Sequence, residues 1–317
     1  MDCLGCVKGM KRSSQLAQDD REGRGQLSTE LLTGRGKSKY SSSSPVSQSP
    51  SPSHFHIGTS RSRKGRKVRF GYSLVKGNSK RQMEDYHVSE FRMVKQKELG
   101  LFAIFDGHLG HSVAIYLQHH LFDKIIKHPG FWSEPREALM EAYAETDKAI
   151  ISKAKELGRG GSTAVTAIVV DGHKLLIANV GDSRAVLCRA GVASQLSVDH
   201  EPSTEQSFIE DMGGFVSNIP GDVPRLDGQL AVSRAFGDKS LKMHVRSDPD
   251  IHLEDIDEAT EFLILASDGL WKVMDNQIAV DTVVKFKDPQ VAARCLTSDA
   301  LALGSKDDIS CIVVSFR

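Results

Sequence analysis

AVTAIVVDGHKLLIANVGDSRAVLCR, residues 164–189, is the stretch whose reading decides the fold. Ala164–Val170 and Lys174–Val180 are apolar runs of strand length, separated by Asp171-Gly172. Asp182-Ser183 then separates the second run from Ala185–Arg189. Short turn-formers between such runs make neighbouring antiparallel strands. Working outward, Leu101–Phe105 and Glu261–Ala266 have the same buried-strand character, and Ile309–Phe316 reads as the last strand. Helical spacing appears over 111–127, through Leu117, Leu121, Phe122 and Ile125. It appears again over 134–157, through Leu139, Tyr143, Thr146 and Ile150, with Ser133 as cap and Pro135 in the first turn. A short helix is expected from about Ser203 to Met212, and two more near 276–286 and 289–303. The last has Asp288 as cap, Pro289 at its first position and Gly304 as its stop. Strands cluster with strands and helices with helices, so the expected class is α+β in layers, not an alternating parallel sheet.

Most of these strands adjoin an acidic island. The islands are Met83-Glu84-Asp85, Asp106-Gly107-His108-Leu109-Gly110, Gly181-Asp182-Ser183-Arg184, Ser267-Asp268-Gly269-Leu270-Trp271 and Lys306-Asp307-Asp308-Ile309-Ser310. Leu101–Phe105 runs into Asp106, Lys174–Val180 into Asp182 and Glu261–Ala266 into Asp268, while Asp307 and Asp308 precede Ile309. Carboxylates at strand ends converge in space while far apart in sequence. Several in one place are tolerable only when cations neutralise them, which points to a hard-metal site.

Composition narrows the remaining possibilities. With 26% charged residues in 317, the chain reads as an ordinary globular protein, and no apolar run approaches the ~18 residues that span a bilayer. Met1–Cys6 lacks a secretory profile, and Asp2 stands where N-myristoylation needs glycine. Five cysteines without framework spacing suit a reducing compartment, cytoplasmic or nuclear. Residues 1–70 carry 14 Lys+Arg against 5 Asp+Glu, and the remainder carries 27 against 36. The acidic body suits cations better than nucleic acid. Residues 41–53 hold eight Ser and three Pro, followed by a basic stretch over 61–69. Residues 1–68 are therefore expected to be a disordered Ser/Pro-rich and basic N-terminal segment.

Taken together and in order, the islands resemble the metal-dependent type 2C protein serine/threonine phosphatases, in the wording of plant members. Leu230-Ala231-Val232-Ser233-Arg234-Ala235-Phe236-Gly237-Asp238, between the third and fourth islands, belongs to the same pattern. No single island carries the likeness; their joint spacing does. It implies a four-layer sandwich, two antiparallel β-sheets face to face with α-helices outside, within a catalytic domain at 69–317. It also implies hydrolysis of phosphoserine and phosphothreonine by a water or hydroxide bridging two Mn²⁺ or Mg²⁺ ions. Such ions suit an oxygen-rich site, because they neutralise the anion that a nucleophile must approach.

By the resemblance, Asp106 is shared by both metals and the Gly107 carbonyl binds one of them. Asp268 and Asp307 hold the second, and Glu84 and Asp85 act through metal-bound waters. His108 is the general acid, and Asp182 either orients it or meets metal. Lys80 stands where many members have a phosphate-gripping arginine, with Arg81 beside it, and lysine lacks the bidentate fork. Lys272 replaces an aspartate that helps a third metal in many members, so it stands against that ion as a tethered cation. Asp308 replaces an asparagine. Gly213–Gly228 matches a mobile flap; it holds Phe215, Ile219 and Pro220 but lacks the tryptophan of hormone-receptor-binding relatives. Expected partners are phosphorylated proteins, kinases among them, acted on by a monomer. The rival reading is a catalytically weak scaffold that binds phosphoproteins without turnover, suggested by Lys80 and Lys272.

Overall fold

The strand Lys97–His108 shows why the apolar runs do not alternate with polar residues. Successive side chains of a strand leave by opposite faces. Leu99, Leu101, Ala103 and Phe105 pack in one cluster with the helices Ser112–Lys127 and Pro135–Ser152. Phe102 and Ile104 pack in another with a second sheet. Both faces are buried, so the run is apolar throughout.

The computed structural model describes residues 58–59, 67–78 and 82–317, all within the unit His54–Arg317. The expectations for the Ser/Pro-rich segment, and those for Lys80 and Arg81, lie outside the described residues.

One antiparallel sheet runs in the order Phe236–Gly237, Gly161–Ser162, Lys97–His108, Ala164–Val170, Lys174–Val180, Asp250–Asp255, with Asp85–Val94 also paired to Lys97–His108. The other runs Gly58–Thr59, Arg69–Val75, Ile309–Ser315, Thr260–Ala266, Arg184–Arg189, Val192–Gln195. Between them lie Val165, Ala167, Leu175 and Ile177 from the first and Leu187, Leu263, Leu265 and Ile312 from the second. The helices Asn276–Val284 and Pro289–Ala302 cover the outer face of the second sheet, over Ile264, Cys311 and Val313. The result is the expected α+β sandwich of four layers.

The turn at Asp171-Gly172 has positive φ at both residues, 50° and 72°, matching the twist of a tight hairpin. Asp288 caps its helix by accepting the Gln290 amide, as expected. Ser133 does not cap the second helix: Glu134 occupies the N-cap without a side-chain bond, with Pro135 in the first turn. That helix also stops at Ser152, followed by a separate turn Ala154–Leu157. Near 203–212 only Gln206–Asp211 is helical. The strands Arg69–Val75, Asp85–Val94 and Asp250–Asp255 were not foreseen; each has polar or half-buried positions that blur the apolar signal.

A core between the sheets makes a ranking expected. Leu265→Ala should cost about 2–5 kcal/mol of unfolding free energy, and Asp288→Ala about 1 kcal/mol, read by denaturant unfolding of chelated protein. The reverse order would contradict the inter-sheet core.

Candidate active site

Strand register gathers the islands. Ala266 pairs with Cys311 on one side and with Arg184 on the other. Asp268, Asp307 and Asp182 therefore emerge at one end of one sheet. From the other sheet, Asp85 lies directly across from Asp106. The two ends meet in a cleft of about 690 Å³, whose lining includes Glu84, Asp106, Gly107, Asp182, Asp268 and Asp307. His108 lines it as well. A side chain on Gly107 would collide with the Glu84 carbonyl, 2.7 Å from where Cβ would sit. The close approach of these two islands requires glycine.

Asp85 differs from expectation. It is 3% exposed, buried beneath the cleft, with Ser267 Oγ donating to its Oδ2 at 2.8 Å. Its role is thus in the floor beneath Asp106. Glu84 remains at the rim and accepts the Gly110 amide through Oε1 at 2.6 Å. Asp308 does not add bare charge to the cleft: its two oxygens accept the amides of Gly77 (2.7 Å) and Glu84 (2.9 Å). It anchors the first island.

The carboxylates strain against one another electrically. Burial pushes Asp85 up to about 7. Asp106 is held well above the usual carboxylate range by burial, then by the charges of Asp85, Asp268, Asp182 and Asp307. Asp182 is raised by burial and by Asp268. Asp268 is raised by burial while Lys272 opposes the shift. The Oδ1 of Asp268 is buried without a hydrogen bond; Asp106 faces this carboxylate and donates only while protonated. Negative charge at this density favours the approach of cations. Lys272 supplies part of the relief: its Nζ pairs with Asp268 Oδ2 and lies 3.0 Å from Asp307 Oδ2.

His108 corrects a second expectation. Its Nε2 lies 2.7 Å from Asp238 Oδ2, so Asp238 orients it and Asp182 does not. Asp238 is 2% exposed and has φ 49°, a left-handed conformation uncommon outside glycine. A Cβ on Gly161 would fall 2.1 Å from Asp238 Oδ2 and 2.6 Å from His108 Nε2, so only glycine can cover the pair. The preceding residue is pinned in turn, because Asp147 on the helix Pro135–Ser152 accepts the Gly237 amide at 2.9 Å and pairs with Lys242. The motif ending in Gly237-Asp238 was visible in sequence. What was missing was the pairing of Phe236–Gly237 with Gly161–Ser162, beside Gly107 and His108.

The Asp182 turn is braced from below. Thr163 Oγ1 and Ser183 Oγ are 2.8 Å apart, and the Thr163 amide bonds the Asp106 carbonyl at 2.9 Å. The Gly181 amide donates to His200 Nδ1 at 2.9 Å, which puts the His200 proton on Nε2, 2.7 Å from Asp250. Asp199 forks with Arg184, whose guanidinium lies 5.1 Å from the Trp271 ring centroid. Asp199, His200 and Trp271 are thus packing and bracing residues. His119 and His120 are exposed on the helix surface, as expected. Over the cleft, Val216–Ser217 and Arg225–Leu226 pair as a small hairpin with Phe215 and Ile219 exposed. Arg159 and Arg225 line the cleft and were not singled out from sequence.

The comparisons agree with this geometry. The family model of protein phosphatase 2C matches residues 71–309. The chain is 59% identical over 261 residues to "Probable protein phosphatase 2C 58" of Arabidopsis thaliana, covering 82% of this chain and 92% of that protein. It is 62% identical over 255 residues to "Probable protein phosphatase 2C 62" of Oryza sativa subsp. japonica, covering 80% and 88%. Among solved structures, a serine-threonine phosphatase 2C from Toxoplasma gondii superposes with a TM-score of 0.72 at 22% identity, over 83% of this chain and 98% of its own. That last likeness is one of fold. The chain belongs to the protein phosphatase 2C family, as a plant-type member, and is a protein phosphatase.

Proposed function

We propose that this cleft removes phosphate from phosphoserine and phosphothreonine in proteins, with two divalent ions, Mn²⁺ or Mg²⁺, bound among its carboxylates. The observation that carries the reading is the meeting of Asp106, Asp182, Asp268 and Asp307, from four separate islands, in one cleft beside the His108–Asp238 pair. The donor set fits such ions, since it is all oxygen and Asp268 Oδ1 lacks a hydrogen bond. Among the described residues no three His, Cys, Asp or Glu side chains form a ready cage. Asp106 would hold both ions, the Gly107 carbonyl one, and Asp268 with Asp307 the other, with Glu84 acting through water. When bound, the pair neutralises the phosphoryl oxygens and makes hydroxide available near neutral pH.

The chain's own groups do the rest. His108 hands a proton to the departing seryl or threonyl oxygen, and Asp238 holds the ring in place for it. Asp182, its turn braced from below, lines the cleft and would meet the metal side. Arg159, exposed on the rim, carries positive charge that an incoming dianionic phosphate meets. A thiol nucleophile has no support among the described residues: burial pushes the Cys188 and Cys311 thiols up, and no cysteine lines the cleft. We assign the chemistry to residues 69–317 and read 1–68 as an appended segment.

With Mn²⁺ the protein is expected to release phosphate from a phosphothreonine peptide, with chelator to stop it, and Asp268→Asn to lower the rate at least about 100-fold. Retention of activity in chelator would refute the metal reading. His108→Ala and Asp238→Asn should slow the peptide by roughly 10²-fold or more, yet slow p-nitrophenyl phosphate far less. That leaving group departs without a proton, so equal losses on both substrates would remove His108 from the acid's role.

Stability should respond to pH with a definite sign. In the metal-free protein Asp85 keeps its proton up to about pH 7, whereas the unfolded chain loses it near 3.8. Folding is therefore favoured most at the acid end of that window, and this contribution is lost progressively as pH rises to about 7. The thermal midpoint of chelated protein should fall between pH 5 and 8, and the gain from added Mn²⁺ should be larger at pH 8. A flat or rising midpoint in chelator would contradict the crowded carboxylates.

A further inference from the structure

Lys272 is placed where a divalent ion would have to go. It caps the short helix Asp268–Trp271, so its side chain returns by one turn onto Asp268. Its Nζ pairs with Asp268 Oδ2 and, at 3.0 Å, with Asp307 Oδ2. These two carboxylates are the ones assigned above to a single ion. The ammonium also opposes the rise at Asp182, so its charge reaches the third island. Asp106, by contrast, is raised by burial and by the charges of Asp85, Asp268, Asp182 and Asp307.

From this arrangement we infer that Lys272 is a built-in counter-ion that must be displaced for the Asp268–Asp307 side to take a divalent cation. The inference rests on the metal reading proposed above. An ammonium is a compact cation with three donors and accepts nothing. Standing between two carboxylates, it occupies the Oδ2 of each, the two oxygens that an ion shared by Asp268 and Asp307 would meet on that side, while Asp268 Oδ1 stays unpaired. The stem allows displacement: the side chain is 53% exposed, and four carbons let the head move to water while the stem stays against the protein. Loading this side then carries the cost of breaking two ion pairs and of holding a cation near the incoming ion. Among the described residues no lysine or arginine forms an ion pair with Asp106. The two positions should fill unequally, the Asp268–Asp307 position last and weakly. Lys272 also spares the empty site part of its repulsion, so the metal-free protein is more stable than one without it.

The test uses the full chain, stripped of metal, with Mn²⁺ alone as probe. Calorimetric and electron-paramagnetic titrations give the number and affinity of sites in the parent, Lys272→Met and Lys272→Arg. The weaker site is expected to tighten roughly tenfold or more in Lys272→Met, as removal of a unit charge a few ångströms away implies, and to stay near the parent in Lys272→Arg. Metal-free Lys272→Met should melt below the parent and gain more from Mn²⁺. Lys272→Gln serves if the methionine variant does not fold. Equal Mn²⁺ affinities in parent and Lys272→Met overturn the counter-ion role alone. Absence of Mn²⁺ binding by both overturns the metal reading, and this inference with it.

Discussion

Repulsion among carboxylates that cannot move apart is the constraint on which the rest depends. Asp106 feels Asp85, Asp268, Asp182 and Asp307 together, and the backbones beneath them are locked by ladder bonds in two sheets. A flexible site would relax by turning its side chains to solvent. Here the sandwich is buried on both sides of each sheet, and the cost of keeping the charges close is borne by the inter-sheet core. That core is the reason so small a set of acidic side chains can be held ready for cations.

Much of this was legible beforehand, for physical reasons that differ by element. Ala164–Val170 and Lys174–Val180 declared themselves because both of their faces are dry and a tight turn joins them. Asp288 and Pro289 declared a helix start because capping is local. Asp85–Val94 did not, since its Tyr86, His87 and Ser89 are only partly covered, Glu90 is exposed, and no run of apolar residues marks it. The site followed the same divide. Asp106, Asp268 and Asp307 stand beside obvious strands, so their meeting could be anticipated from where those strands end. The carboxylate that faces His108 could not, because 130 positions separate it from the histidine and a two-residue strand makes the join. The part Asp308 plays in holding the first island was equally hidden: its backbone partners, Gly77 and Glu84, flank a loop whose path sequence pattern does not describe.

The bracing residues share a logic. His200 receives the Gly181 amide, Ser183 meets Thr163, and Arg184 spans Asp199, Asn276 and Trp271. Each ties the Asp182 turn to a different neighbour. A turn carrying a charge that its surroundings oppose would otherwise swing away, and several weak ties from different directions resist that better than a single strong one.

Asp147 gives the outer helix Pro135–Ser152 a grip on the proton donor's partner. It takes the Gly237 amide with one oxygen and draws in Lys242, so it holds the chain one residue before Asp238 and four residues beyond it. A slide or tilt of that helix would pull on this peptide, and through it on the angle at which the imidazole meets its carboxylate. The outermost layer of the sandwich is in that sense mechanically geared to the His108–Asp238 pair, and wear on its far side, by substitution or by a weight resting there, would be felt at that contact.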